Sequence, residues 1–391
     1  MRVAILGSTG FLGEQILETL EHLEDHTVVL LAAGENWKKL FHQLGKLKDS
    51  RGWLSKEDPC FRKTIPDPLQ GRMLSGHREL KDFLLSNTVD GVFFATVGME
   101  HLSTFWELMK AGKTVWMASK EILIALGDLF MREFPLIKRP QLVPLDSEHN
   151  AVWQMLRWIE ISDIKRIFIT ASGGPFYEWL GNLDEITPEM ALSHPNWKMG
   201  TKISVDSAHL INKGFEVLEA SLLFHRPIDQ IDVLVQRESL IHALVELRDG
   251  FLAAVLSRPD MRSVILSALQ SGIRRENPFP GLDLNRLKTL HFDYPVSKRF
   301  AGYYLALEAG KRGGGYPAYF LGADEACVNA FMEKKIKFGE ILRILENILD
   351  QDISSVQTIE DVLALHRDGF RMANTIIQQK SRSGGCRRLY E

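Results

Sequence analysis

The spacing of apolar residues switches repeatedly between the period of a strand and that of a helix, and the switches mark the elements. Arg2–Leu6 is an apolar β-type run; a glycine turn follows, and Ile16, Leu17 and Leu20 then fall on one face of a helical pattern. Thr27–Ala33 is a second strand, so the chain opens as a βαβ unit. Val89–Val97, Thr114–Ala118 and Gln141–Leu145 read as further buried strands, with a helix over Leu102–Met109. The stretch 46–76 is polar, carries Pro59, Pro66 and Pro68, and is expected as a peripheral excursion.

Beyond residue 150 the pattern changes. Ala151–Ile159 reads as a helix, and Ile167–Thr170, Asp232–Val235 and His242–Val245 as strands, the last running on through Gly250 to Leu256. An antiparallel sheet is expected there, accompanied by helices over Ser207–Ala220 and Met261–Ser271. Residues 276–298 turn to Pro, Asn and Asp, as a connecting arm would. Ala301–Gly310, Ala323–Lys335, Phe338–Leu349 and Ile359–Gln379 have the helical period and suggest a bundle, followed by a polar tail, SRSGGCRRLYE, expected to be loose.

The fold class is therefore α/β, with a Rossmann-like dinucleotide-binding domain over 1–146 and a central α+β domain over 147–275. A linker over 276–300 and a C-terminal α-helical domain over 301–391 complete the expected division.

A formal net charge of −3 leaves no basic footprint for nucleic acid, and no apolar run is long enough for a membrane span. A small molecule is the expected partner. Cys60, Cys327 and Cys386 form no CxxC pair and no zinc spacing. With a start that goes straight into a strand, this reads as a cytoplasmic protein in a reducing compartment.

Candidate chemistry lies at the strand ends. In Gly7-Ser8-Thr9-Gly10-Phe11-Leu12-Gly13 the glycines would let the backbone approach a pyrophosphate at the helix N-terminus; a tight turn with no ligand is the alternative. After the second strand, Gly34, Glu35 and Asn36 stand where the adenosine ribose is read. A carboxylate at Glu35 would favour NADH over NADPH, with Lys38 and Lys39 able to offset it.

Lys120, between Ser119 and Glu121 at the end of a strand, is a site candidate or an exposed lysine. Asp146 and Glu148 are i and i+2, on one side of an extended chain; two carboxylates without thiolates favour Mg²⁺ or Mn²⁺, and a helix cap is the alternative. Ser172-Gly173-Gly174-Pro175-Phe176 can form an anion nest. His194–Gly200 reads as a lid loop carrying Trp197.

Within a single helix Ser207–Ala220, the residues Asn212, Lys213 and Glu216 share an edge and Ser207 sits at the helix start. That arrangement is either a phosphate-and-metal unit or a solvated edge.

Taken together, GSTGFLG, Lys120-Glu121, DSEHN at 146–150, SGGPF at 172–176, HPNWKMG at 194–200, KISVDSA at 202–208, NKGFE at 212–216 and PDMR at 259–262 resemble the 1-deoxy-D-xylulose 5-phosphate reductoisomerase family over essentially the whole chain. The resemblance implies a homodimer that uses NADPH and a divalent cation on a deoxyxylulose phosphate, in isoprenoid-precursor synthesis. It implies a metal held by Asp146, Glu148 and Glu216, and a substrate phosphate held by Ser172, Ser207, Asn212 and Lys213.

Ser147, Lys120 and His194 would line the carbon skeleton, with Trp197 on the lid near 194–202. The cofactor side would be Gly7, Ser8, Thr9, Gly10, Phe11, Leu12, Gly13, Gly34, Glu35, Asn36, Ser119, Lys120, Glu121 and Gly200. Phe11 stands where the family usually has Ser, Glu35 where a basic or neutral residue is commoner, Ser119 where Asn is usual, and Gln236-Arg237-Glu238-Ser239 where HPQS is usual. A paralogue acting on another phosphorylated or phosphonate ketose, and a non-catalytic dinucleotide sensor, are the alternatives.

Overall fold

Six short apolar runs form one parallel sheet: β1 (Arg2–Leu6), β2 (Thr27–Ala33), β3 (Arg51–Leu54), β4 (Gly91–Phe94), β5 (Thr114–Met117) and β6 (Leu142–Pro144), in the order β3-β2-β1-β4-β5-β6. The computed structural model describes residues 1–56, 61–135, 141–193, 200–270, 276–294 and 300–386, the side chains of residues 62, 63 and 381–386 excepted.

β4 and the last four residues of β1 are buried, as strands covered on both faces must be. The sheet reverses direction of growth between β1 and β4, the switch point where α/β sheets bind ligands beyond their strand ends. β3 and the helix Gly76–Leu85 lie in or just beyond the stretch expected to be a mere excursion. Their signal is short: Trp53 is fully buried and its indole donates to the Gly76 carbonyl at 3.0 Å, but four residues give no readable period.

The chain forms two compact units. One comprises Met1–Ser119, Leu136–Trp158 and Asp260–Leu282; the other comprises Lys120–Pro135, Ile159–Pro259 and Asp283–Glu391. Both are discontinuous in sequence, whereas the division expected from composition ran along the chain in order.

The second unit contains a sheet ordered β10-β9-β7-β8, from β7 (Ile164–Ala171), β8 (Ile231–Val235), β9 (Ile241–Leu247) and β10 (Leu252–Leu256). It is mixed rather than purely antiparallel, because β7 and β8 run parallel. A parallel pair needs a long crossover, and the helices Thr201–Ala208 and Ile211–Phe224 are within that crossover. The run expected to continue through Gly250 instead folds back as a hairpin, with Gly250 at φ +91° and Phe251 donating to the Asp249 carboxylate at 3.1 Å.

The single helix expected over Ser207–Ala220 is also two helices. Leu210 adopts φ +58°, in the left-handed region, and ends the first before the second starts. Ser207 therefore lies in the last turn of Thr201–Ala208 and not at a helix start.

The helices Ala301–Arg312, Tyr316–Met332, Phe338–Leu349 and Ile359–Cys386 form the helical part of this unit, and the last takes in the first six residues of the tail expected to be loose. Phe331 packs on Phe338 and Phe320 meets Phe215 edge-on. Among the described residues no helix is long and apolar enough to cross a membrane.

Candidate active site

In the first unit the glycine turn leaves β1 at the switch point. Gly7 has φ +86°, and a Cβ on it would meet the Ala95 carbonyl oxygen at 2.3 Å, while a Cβ on Gly13 would meet the Gly7 oxygen at 2.2 Å. Only glycine lets strand and helix approach this closely. The helix Phe11–Leu20 makes its first internal bond from the Glu14 amide to the Gly10 carbonyl, so the amides of Phe11, Leu12 and Gly13 form its open first turn.

Ser8 is fully buried, donates to the Gln43 side chain at 2.9 Å and receives the Gln43 amide on its carbonyl at 2.9 Å. Its side chain thus ties the turn to the helix Trp37–Lys46. Phe11 is about half exposed. Asn36 caps the helix Trp37–Lys46 by accepting from the Lys39 amide at 3.2 Å.

Glu35 is exposed and pairs with Lys56 at 2.5 Å; the Lys56 hydrogen bond holds the Glu35 carboxyl below its ordinary range. The offsetting cation is Lys56, from the end of β3, where the sequence suggested Lys38 or Lys39; Lys39 pairs with Glu14 at 2.6 Å. Ser119 is fully buried and donates to the Thr96 carbonyl at 2.5 Å.

Asp146 occupies the N-cap position of the helix Ser147–Met155, yet makes no side-chain cap hydrogen bond. The capping alternative accordingly fails for Asp146. Glu148 lies in the first helical turn, so the two carboxylates are not neighbours on an extended strand; Ser147 donates to Glu148 at 2.6 Å. His149, quoted in the motif but given no role, is fully buried with Nδ1 3.7 Å from Asp146. Hard carboxylate oxygens with no thiolate beside them fit Mg²⁺ or Mn²⁺.

In the second unit, Lys120 opens the helix Lys120–Glu133 and is buried. Its ammonium donates to Asn212 at 3.0 Å and to Glu216 Oε1 at 3.2 Å. Asn212 donates to the same oxygen at 2.5 Å, and Lys213, also buried, donates to Glu216 Oε2 and to the Thr170 carbonyl at 2.6 Å. The shared edge is therefore a buried cluster and not a solvated surface: both Glu216 oxygens accept hydrogen bonds from neighbouring donors.

The Ser172–Gly174 loop leaves β7 beside it. Gly173 and Gly174 have φ +84° and +69°, and a Cβ on Gly174 would lie 2.6 Å from the Ser207 carbonyl oxygen. The loop and Ser207 are thus in contact, although Ser207 is not at a helix start. Glu121 is buried at the start of the same helix as Lys120, and Gly200 precedes Thr201–Ala208 as its N-cap. His194 and Trp197 lie outside the described residues.

Sequence reading missed one cluster in this unit. Lys202 donates to Asp206 at 2.6 Å and to Asp324 at 2.5 Å, from helices 122 residues apart in the chain. Burial, and then the nearby Asp324, push the Asp206 carboxyl up to about 8; burial likewise raises Asp324. Burial works against the Lys202 charge, but the two carboxylates win and hold its pKa above the ordinary lysine value. The one local signal was the i,i+4 spacing of Lys202 and Asp206; Asp324, beside Glu325 in its helix, carried no mark of its own.

The fold and these half-sites define a Rossmann-type dinucleotide-binding protein whose second unit carries a buried lysine cluster beside an anion-binding type of loop. The sequence matches the 1-deoxy-D-xylulose 5-phosphate reductoisomerase family over residues 3–127, its C-terminal domain over 142–224, and the DXP reductoisomerase C-terminal domain over 256–371.

The 1-deoxy-D-xylulose 5-phosphate reductoisomerase of Desulfitobacterium hafniense strain Y51 is 39% identical over 367 residues, 93% of this chain and 95% of that one. The enzyme of Sulfurihydrogenibium sp. is 35% identical over 97% of this chain and 99% of its own. Among solved structures, the reductoisomerase of Zymomonas mobilis in complex with NADPH superimposes with a TM-score of 0.86 at 34% identity, covering 96% of this chain and 98% of that one. A DOX-P reductoisomerase in complex with NADPH, fosmidomycin and magnesium gives 0.87 at 30%, covering 97% and 99%. The chain belongs to the 1-deoxy-D-xylulose 5-phosphate reductoisomerase family.

Proposed function

We propose that the protein converts 1-deoxy-D-xylulose 5-phosphate to 2-C-methyl-D-erythritol 4-phosphate, by skeletal rearrangement followed by reduction, with NADPH and Mg²⁺ or Mn²⁺. The carrying observation is the buried meeting of Lys120, Asn212 and Lys213 on Glu216 beside the Ser172–Gly174 loop. Two buried ammonium groups and a nest-forming loop are the chemistry a phosphate ester needs.

Ser172, Ser207, Asn212 and Lys213 hold the phosphate. That grip is remote from the reacting carbons, so its binding energy serves to orient them. Lys120 and Ser147 line the carbon skeleton. Asp146, Glu148 and Glu216 hold the cation, which when bound supplies Lewis-acid stabilisation of oxygen charge worth several kcal/mol. NADPH, which supplies the hydride, lies on the turn Gly7–Gly13, with Gly34, Glu35 and Asn36 at its ribose end and Ser119, Lys120, Glu121 and Gly200 along its course.

The protein works as a cytoplasmic homodimer, and residues 1–146, 147–275 and 301–391 act as its cofactor-binding, catalytic and helical parts. The test is oxidation of NADPH with deoxyxylulose phosphate and Mg²⁺ or Mn²⁺. Absence of turnover would refute the assignment and leave a paralogue or a sensor; loss of turnover with EDTA, restored by either metal, is expected.

A further inference from the structure

β7 and β8 are parallel neighbours, so their carboxyl ends deliver two loops side by side: Ser172–Pro175 and the turn Gln236–Ser239. The turn is firmly built. Gln236 is fully buried; its amide donates to the Ala171 carbonyl at 2.8 Å and its side-chain oxygen accepts the Leu240 amide at 2.8 Å, while the Ser239 amide closes on the Gln236 carbonyl at 3.0 Å. What this turn projects at the neighbouring loop is Arg237. The guanidinium donates to the Ser172 carbonyl at 3.0 Å and to the Gly174 carbonyl at 3.3 Å, and lies over the Tyr177 ring 5.0 Å from its centroid. A Cβ on Gly173 would meet both Tyr177, at 2.7 Å, and Arg237, at 3.1 Å, so the loop has no slack on that side.

A trans peptide carries its C=O and N–H on opposite edges. With the Ser172 carbonyl drawn onto the guanidinium, the Gly173 amide is turned away from Arg237. The next amide, that of Gly174, donates to the Ser172 hydroxyl at 3.3 Å, and Pro175 has none to offer. The Gly174 side of the loop is the one that meets Ser207. Arg237 therefore fixes which way the one remaining amide of the glycine pair points, and places a permanent cation behind it.

We propose that Arg237 is a positioning residue for anion binding: it sets the peptide orientation of the Ser172–Gly174 loop so that Gly173 N–H faces a phosphate, and adds the field of a cation from behind. This rests on the phosphate assignment above.

The experiment compares wild type with Arg237→Lys, which keeps the charge and N–H donors but not the planar guanidinium, and Arg237→Met, which keeps only the bulk. Steady-state kinetics with deoxyxylulose phosphate and calorimetric titration with inorganic phosphate are run on each. For Arg237→Met both KM and the phosphate Kd are expected to rise about tenfold, the size of one charge-assisted hydrogen bond, with kcat and the KM for NADPH changing much less. Arg237→Lys should recover part of the loss.

Wild-type values for KM and phosphate Kd in Arg237→Met would overturn the proposal. So would a fall confined to kcat, or equal damage by both substitutions. If Arg237→Met fails to fold, Arg237→Lys with wild-type KM and phosphate Kd overturns it alone. Should the wild type bind phosphate but not turn over the sugar phosphate, the proposed function fails and the phosphate titration still decides the role of Arg237.

Discussion

Replacing Asp324 by Asn should change how stability depends on pH, and the size of the effect follows from the Lys202 cluster. Asp206 and Asp324 are buried against one ammonium group, and each keeps an Oδ1 without a hydrogen-bond partner among the described residues. Burial first, and the nearby Asp324 second, push the Asp206 carboxyl up to about 8, so it holds a proton at neutral pH. In the unfolded chain it titrates near 3.9.

Between those values the folded state holds a proton that the unfolded state lacks, so this group's stabilisation is complete below about pH 4 and is lost as pH rises through 8. The slope approaches one proton's worth per pH unit, so the loss from pH 6 to pH 8 is on the order of 2 kcal/mol. The Asp324→Asn side chain keeps an acceptor for Lys202 and removes the second charge, leaving Asp206 to pair with Lys202 alone. Relative to wild type, the variant should keep more of its stability on going from pH 6 to pH 8, by up to about 1 kcal/mol, because burial, the larger cause, remains. Urea unfolding of both proteins at the two pH values measures this, and contributions common to both cancel in the comparison. A difference between variant and wild type that stays constant across the interval would refute the influence of Asp324 on the Asp206 carboxyl.

Two further predictions concern the half-sites. Glu216→Gln removes the carboxylate on which two buried lysines converge; it should lower kcat about a thousandfold, raise the Mg²⁺ concentration for half-activation, and cost about 3 kcal/mol of stability by leaving buried cations poorly compensated. Unchanged metal activation would show that Glu216 is not a ligand. Lys56→Ala removes the cation that faces Glu35; kcat/KM with NADPH should fall about threefold while that with NADH holds, since an uncompensated carboxylate repels a 2′-phosphate through screened solvent. An equal change for both cofactors would place Lys56 outside the recognition of the ribose.

The parts of the fold written in local pattern were legible. β1, the glycine turn and β2 follow from a few residues each, because steric exclusion by Ala95 and the Gly7 carbonyl admits only glycine at positions 7 and 13. The edge Asn212, Lys213, Glu216 followed from helical geometry alone. What was not legible depends on partners far away in sequence. Nothing local marks Asp324 as the partner of the i,i+4 pair Lys202–Asp206, nor Arg237 as the support of a loop more than sixty residues earlier. The hairpin at Asp249–Phe251 was missed although Asp-Gly is a strong turn signal, because the apolar runs on either side read as one strand.

The break at Leu210 was illegible for a different reason, and it matters most for the site. Leucine rarely adopts φ +58°, so no sequence rule places a helix end there. Had the helix run unbroken from Ser207 to Ala220, the amides of Ile211, Asn212 and Lys213 would each be bonded to a carbonyl four residues back. With the break, the second helix makes its first internal bond from the Gly214 amide to the Leu210 carbonyl, at 3.2 Å. The amides of Ile211 and Asn212 then fall in the first turn of a helix, at the positive end of its dipole, on the turn that carries the Asn212 and Lys213 side chains. Ser207, by contrast, sits at the carbonyl end of its own helix, where the dipole repels an anion and only the hydroxyl can help. The strained leucine thus moves the helix start four residues along the chain, from Ser207 to Ile211, and puts the positive end of that helix on the turn that carries Asn212 and Lys213, the two side chains of this helix proposed to hold the phosphate.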